Sequence, residues 1–89
     1  MFIVVSYDIV DDRRRARLHR VLKNFGTRVQ YSVFECMLEP KDFTRLQATV
    51  TLVVKRDDHV RYYRLCEQCE RQVMVIGGTV TQPPRTLVV

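Results

Sequence analysis

The sequence has few of the residues on which several common sites depend. It contains three glycines, Gly26, Gly77 and Gly78, whose spacing forms neither a Walker phosphate loop nor a dinucleotide-binding fingerprint. No order of serine, histidine and aspartate residues indicates a hydrolytic triad. We therefore interpret His19 and His59 as structural or solvated residues rather than as general bases.

Cysteine is scarce as well. The three cysteines, Cys36, Cys66 and Cys69, are an odd number, which argues against a disulfide framework. Cys66 and Cys69 have the spacing of half a zinc site or of a redox pair, but neither histidine has a neighbour at ligand spacing. We interpret both as ordinary thiols at a strand end and turn; a redox pair and a metal site completed across a dimer are the alternatives.

Long apolar runs are missing too. No stretch approaches the roughly 18 apolar residues of a membrane helix, and the start of the chain lacks the features of a secretion signal. We therefore expect a cytoplasmic protein without a membrane partner.

Size and charge indicate the kind of partner. A domain of 89 residues buries only roughly 60 to 65% of its unfolded surface, so we expect the extra interface of a homodimer. The formal net charge of +5 and the pI near 9.5 favour acidic partners. Nucleic acid is the commonest of these.

The most informative segment is the end of the first predicted strand. Asp8 follows the apolar run from Phe2 to Tyr7, and Asp11, Asp12 and an arginine cluster come next. A run that is apolar on both faces predicts a central strand. A carboxylate at its tip, beside a helix rich in guanidinium groups, suits a hard metal ion and a phosphodiester.

The arginine cluster opens a predicted amphipathic helix. Asp11 or Asp12 caps it, and Gly26 ends it. Its core-facing stripe recurs at helical spacing and consists of Leu18, Val21, Leu22 and Phe25. The opposite face is positively charged and carries Arg13, Arg17, Arg20, Lys23 and Asn24.

The middle of the chain changes its apolar phase between Ser32 and Phe34, which predicts either one kinked strand or two short ones. Pro40 then begins a second helix. Its buried side consists of Phe43, Leu46, Val50 and Val53 or Val54. The β-branched run over residues 49–54 is also compatible with a strand.

Two further strands are predicted over residues 59–66 and 73–76. The chain ends in an apolar segment, and we expect the tail, about residues 79–89, to add a strand to a sheet of the partner subunit. The predicted architecture is a single α+β domain over residues 1–89, a ferredoxin-like sandwich with two helices on one face of an antiparallel sheet. A second subunit covers the other face and brings two copies of Asp8 toward the two-fold axis.

Four segments carry a resemblance to a known family. They are Tyr7-Asp8-Ile9, the Asp11-Asp12 pair with Arg15 and Arg17, the segment from Leu18 to Gly26, and the block from Arg28 to Cys36. Together they resemble the small CRISPR-associated endoribonucleases, the Cas-two proteins. The resemblance implies a ferredoxin-like homodimer, a divalent metal ion such as Mg²⁺, and a role beside the CRISPR integrase in spacer acquisition, the adaptation step of antiviral defence.

The resemblance leaves the activity open between two functions. One is a metal-dependent endonuclease that cuts single-stranded RNA, double-stranded DNA or both. The other is a non-catalytic scaffold that holds duplex DNA between integrase dimers. A toxin-like ribonuclease outside CRISPR is a third, weaker hypothesis that the size and fold allow.

The resemblance also implies roles for individual residues. Asp8 is the catalytic and metal-binding carboxylate, and Tyr7 lines the cleft beside it. Phe34 belongs to the supporting or nucleic-acid-facing wall. The phosphate-binding residues are Arg15, Arg17 and Arg28.

Residue patterns alone support plainer roles for the same side chains. Asp8 is then a residue that caps a turn, the arginine run a solvated helix face, and Phe34 and Tyr31 core residues. No residue is apparent as a separate general base, which fits either metal-only catalysis or none.

Overall fold

The computed structural model describes residues 1–77 and the backbone of Leu87 and Val88. Its elements are, in chain order, β1 (Phe2–Asp8), α1 (Asp12–Lys23), β2 (Thr27–Gln30), β3 (Val33–Met37), α2 (Pro40–Val53), β4 (His59–Leu65), α3 (Glu67–Glu70), β5 (Met74–Val75) and β6 (Leu87–Val88). The predicted α+β class is confirmed.

The main sheet has four antiparallel strands in the order β2-β3-β1-β4. The first strand is therefore central, as its apolar run predicts. β5 and β6 form a separate parallel pair within the chain. The rest of the predicted tail lies outside the described residues, so its exchange with a partner stays a prediction.

Both long helices pack on one face of this sheet. Side chains alternate along β1, and Ile3, Val5 and Tyr7 point into the core. Leu18 and Leu22 of α1 cover them, together with the buried residues of α2, namely Leu46, Val50 and Val53. The predicted helix stripes are thus confirmed.

The β-branched run near the end of α2 is helical, so its interpretation as a strand is wrong. The hydroxyls of Thr49 and Thr51 donate hydrogen bonds of 2.8 Å to the carbonyls of Arg45 and Gln47. Threonine tolerates a helix in this way, because its hydroxyl bonds the preceding turn. No helix in the described part of the chain has both the length and the apolarity that a bilayer span requires.

The change of phase near Ser32 marks a turn between two short strands. β2 ends at Gln30, Tyr31 and Ser32 form the turn, and β3 begins at Val33. A bulge between Arg28 and Gln30 shifts the register of β2 against β3. The turn and the bulge together account for the change of apolar phase along this part of the sequence.

Position 26, just after α1, requires a glycine because a side chain has no room there, and not because of the backbone conformation. The helix cap is Asn24, with an ordinary right-handed φ of −77°. A Cβ on Gly26 would lie 2.4 Å from both the Sγ of Cys36 and the carbonyl oxygen of Glu35. The lack of a side chain therefore lets the loop after α1 lie directly against β3.

Gly26→Ala is predicted to lower the free energy of unfolding by about 1 to 3 kcal/mol, because the added methyl group overpacks this contact. Urea unfolding followed by circular dichroism measures the change. Adding Cys36→Ala should restore part of the loss, since it removes one of the two clashing atoms. A Gly26→Ala variant as stable as the parent would contradict the prediction.

Candidate functional site

Asp8 lies at the end of β1 on the sheet face opposite to α1 and α2. It is exposed, and its partner across the β1–β4 ladder is His59. Neighbours on a strand point to opposite faces, so Asp8 shares its face with Val4 and Ser6 rather than with Tyr7. Arg61, opposite Ser6, places a cation on the same face.

Tyr7, Arg15 and Arg28 meet in a different place. They line a cavity of about 280 Å³ on the helix side of the sheet, which we call the helix-side pocket. Its other lining residues are Asp12, Ala16, His19 and Tyr31. The structure therefore separates the predicted site residues into two groups, with Tyr7 on the face of the sheet opposite to Asp8.

Arg15 is held firmly at the rim of the helix-side pocket. Its Nη1 donates hydrogen bonds to the carbonyls of Ile9 at 2.8 Å and Val10 at 3.3 Å. Its Nη2 pairs with the carboxylate of Asp12. Arg15 thus ties the β1–α1 loop to the helix, and Asp12 offsets its charge.

Arg28 reaches the pocket from the edge strand. Its guanidinium carbon lies 5.0 Å from the centre of the Tyr31 ring, and its Nε donates a long hydrogen bond of 3.4 Å to the Gln30 carbonyl. Burial raises the pKa of Tyr7, while Arg28 and Arg15 act in the opposite direction. Both guanidiniums are thus close enough to Tyr7 to influence its hydroxyl.

Phe34 lies in the core and contacts two of the pocket residues. It is fully buried, with its ring centre 6.4 Å from that of Tyr7 and 5.3 Å from that of His19, which it meets edge-on. Burial lowers the pKa of His19, and Arg28 and Lys23 lower it further. Phe34 therefore supports the pocket residues Tyr7 and His19 from inside the core.

Arg17 belongs to neither group. It is exposed on α1, as are Arg13, Arg20 and Lys23, which together make the predicted basic helix face. We call these four residues the basic ridge.

The start of α1 is fixed by two carboxylates. Asp11 caps the helix by accepting a hydrogen bond of 2.9 Å from the backbone N–H of Arg14. The Arg14 side chain donates to both carboxylate oxygens of Asp58, at 2.9 and 3.2 Å. Asp58 also accepts from the Lys55 N–H at 2.8 Å, so one side chain joins the α2–β4 turn to α1.

A single copy of the chain offers little to a metal ion. Within the described residues no cluster of three or more His, Cys, Asp or Glu side chains has a metal-binding arrangement. Magnesium nevertheless binds through one or two carboxylates and completes its shell with water and substrate phosphates. The exposed carboxylate of Asp8 fits that requirement, because Mg²⁺ does not need a site built entirely from protein ligands.

The cysteines are free thiols, as interpreted from the sequence. Burial raises the pKa of Cys36 to about 11, so this thiol stays protonated. Cys66 caps the short helix α3 by accepting from the Cys69 N–H at 3.3 Å.

The sequence did not lead us to place His19 and Tyr31 in the helix-side pocket, or His59 beside Asp8. Asp12, Arg15 and His19 recur at i, i+3 and i+7, which is a helical stripe that the sequence already displays. The pairing of His59 with Asp8 depends on the strand register, which spacing along the chain does not reveal. Tyr31 reaches the pocket only because of the turn after β2.

Comparisons with known proteins agree on one family. Residues 1–73 match the family described as CRISPR associated protein Cas2. A Chloroflexus aurantiacus protein named CRISPR-associated endoribonuclease Cas2 3 is 42% identical over 99% of this chain and 98% of its own length. A Synechocystis protein of the same name is 40% identical over the whole of both chains.

Solved structures give the same result. Streptococcus pyogenes Cas2 is similar with a TM-score of 0.75 at 29% identity, over 86% of this chain and all of that one. A hypothetical protein from Thermus thermophilus has a TM-score of 0.68 at 38% identity, over 73% of this chain and 80% of its own.

The Asp58 anchor is predicted to make stability depend on pH. The Arg14 side chain, followed by the Lys55 N–H, holds the pKa of Asp58 below its ordinary value of 3.8. The ionised carboxylate therefore stabilises the fold above about pH 4, and this stabilisation is lost as the pH falls through the lowered pKa. Asp58→Asn should reduce the urea midpoint at pH 7 and leave a flatter profile between pH 5 and 2.

Asp57→Asn is the matched control, because it removes the same charge from the exposed neighbouring residue. Equal losses for the two variants at pH 7 would show that Asp58 is not an anchor.

Proposed function

The chain belongs to the Cas2 family of CRISPR-associated proteins, and we propose that it is an endoribonuclease with its active site at Asp8. The observation that carries this proposal is the near full-length similarity to proteins named endoribonucleases. Asp8 supports it, because this carboxylate is exposed at a strand end and accessible to a phosphodiester.

We propose further that the fold is ferredoxin-like and that the protein works as a homodimer. The order β-α-β-β-α-β with the strand order β2-β3-β1-β4 supports the fold assignment. The sheet face opposite to α1 and α2 supports the dimer, since Met37 is 37% and Tyr63 46% exposed there. A second copy would bury these side chains and provide the interface that so small a domain lacks.

Asp8 lies on this same face, so such a dimer would place two Asp8 carboxylates in one interface. Two carboxylates and the substrate phosphate would hold Mg²⁺ or another divalent cation. When bound, the cation supplies the Lewis acid that makes a phosphodiester easier to attack. The exposed Arg61 on this face would hold a phosphate oxygen and offset its charge.

Asp8→Asn is predicted to reduce cleavage of single-stranded RNA by about 100-fold or more, because the metal ion loses its protein ligand. Cleavage should also stop when EDTA removes the divalent cation from the wild-type protein. Gel analysis of a labelled RNA with purified protein measures both effects.

Asp57→Asn is again the control, since it removes one exposed carboxylate near the end of the same sheet. Cleavage that survives unchanged in Asp8→Asn would trace the activity to a contaminating nuclease and contradict the proposal.

A second candidate function is a duplex-DNA scaffold that assists the CRISPR integrase in spacer acquisition. The observation that favours it is the basic ridge, whose four exposed cations lie on α1 away from the core. Such a surface binds the phosphates of a duplex without reading its sequence. Binding of this kind does not require Asp8.

Duplex binding by the ridge is predicted to depend steeply on salt. If a dimer contacts 6 to 10 phosphates, affinity should fall about 10³- to 10⁵-fold between 50 and 200 mM salt. Arg13→Glu with Arg17→Glu should weaken binding at every salt concentration and reduce the slope. Fluorescence anisotropy of a labelled duplex measures both.

Lys41→Glu with Arg45→Glu is the matched control, because it reverses two exposed charges on α2. Equal losses from both double variants would show that duplex binding responds to net charge alone, and would rule out a specific role for the basic ridge.

A further inference from the structure

We propose that the helix-side pocket binds one unpaired nucleotide of a single-stranded RNA, with its phosphate at Arg28 and its base stacked on Tyr31. The proposal rests on the function proposed above, because it takes RNA as the ligand. A phosphate contact of Arg28 is already implied by the family resemblance; the new part is the pocket on the face of the sheet opposite to Asp8 and the stacking of a base on Tyr31.

The size of the pocket suits one nucleotide. Its volume of about 280 Å³ lies just below the range of small-molecule sites, which begins near 300 Å³, so the pocket has room for one small ligand group only. Its walls come from α1, β1, β2 and the β2–β3 turn. A duplex does not fit such a pocket, whereas a single strand can turn one base out of its stack.

The charges in the pocket favour an anion at Arg28. Arg15 and Asp12 form an ion pair, so together they contribute little net charge. Arg28 is exposed, and the contacts described for it are a cation–π contact and one long hydrogen bond to a carbonyl. A guanidinium with N–H groups to spare binds phosphate in a bidentate manner.

The aromatic surface next to Arg28 favours a base. Tyr31 is 76% exposed in its turn, and the Arg28 guanidinium lies over its ring. Unstacked RNA bases bind on such tyrosine rings and arginine planes. Since burial in the core does not explain the ring of Tyr31, a stacking role accounts for its position.

The pocket and Asp8 lie at the same end of β1, since Tyr7 and Asp8 are consecutive and point to opposite faces. An RNA strand held in the pocket must pass around the end of β1 to reach Asp8. The pocket therefore serves to position the strand and is not part of the metal site.

The test is binding of a labelled five-nucleotide RNA in EDTA, measured by fluorescence anisotropy so that neither metal nor cleavage contributes. Tyr31→Ala should weaken binding about 5- to 150-fold, the range expected for loss of one stacked base. Tyr31→Phe keeps the ring and should bind within twofold of wild type. Arg28→Gln should weaken binding about tenfold or more, as expected for a lost phosphate contact to a guanidinium.

Arg45→Gln is the matched control for charge. Arg45 is an exposed arginine that does not line the pocket; its guanidinium carbon lies 5.3 Å from the ring centre of Phe25, and its Nη2 lies 3.5 Å from the carboxylate of Asp42. It should bind within twofold of wild type. Equal losses for Arg28→Gln and Arg45→Gln, or unchanged binding by Tyr31→Ala, would overturn the proposal.

Two further measurements distinguish this proposal from a site for free nucleotides and from the endoribonuclease proposal. Displacement of the strand by a mononucleotide at equal nucleotide concentration would assign the pocket to free nucleotides and overturn the proposal. Loss of cleavage in Asp8→Asn with unchanged binding in Tyr31→Ala would refute the pocket and leave the endoribonuclease proposal standing. Loss of binding in Tyr31→Ala with full cleavage in Asp8→Asn would refute the active site at Asp8 and leave the pocket proposal standing.

Discussion

The strict alternation of side chains along β1 is the constraint on which the rest of the structure depends. Ile3, Val5 and Tyr7 must face the helices to complete the core, and this fixes Asp8 on the other side of the sheet. A carboxylate at this position remains in water at no cost to packing. The same strand thus contributes to the core, to the helix-side pocket and to the proposed catalytic surface.

The pocket depends on contacts that lie well below the surface. Phe34 supports both Tyr7 and His19 from the core, and Arg14 anchors the start of α1 through Asp58. Gly26 lets the loop after α1 lie against β3 without a gap. The pocket is thus built on elements that the core holds in place, as accurate binding sites require.

Much of the fold can be predicted from the sequence, because its signals are local. The apolar run of β1, the Asp11 cap and Pro40 place three elements directly. The phase change near Ser32 reveals the turn between β2 and β3, although it does not say whether one strand bends or two strands form. The helix over Thr49 and Thr51 is harder to predict, since β-branched residues fit a strand equally well until tertiary packing decides.

The site is less predictable, because it is assembled from pairings between strands. The family motif contains Tyr7 and Asp8 side by side, and only the pleat of the strand shows that they serve different faces. Likewise, the neighbour of Asp8 across the sheet is His59, about fifty positions further along the chain. Sequence resemblance thus identifies the residues, whereas the register shows which of them act together.

The bulge in β2 has a consequence for how copies of this protein can associate. β2 is an edge strand, and its irregular register between Arg28 and Gln30 interrupts the ladder that an incoming strand would extend. Such interruptions protect natural sheets from edge-to-edge aggregation. Continuous fibres are therefore disfavoured along this border, which leaves the broad side of the sheet as the surface for orderly self-assembly.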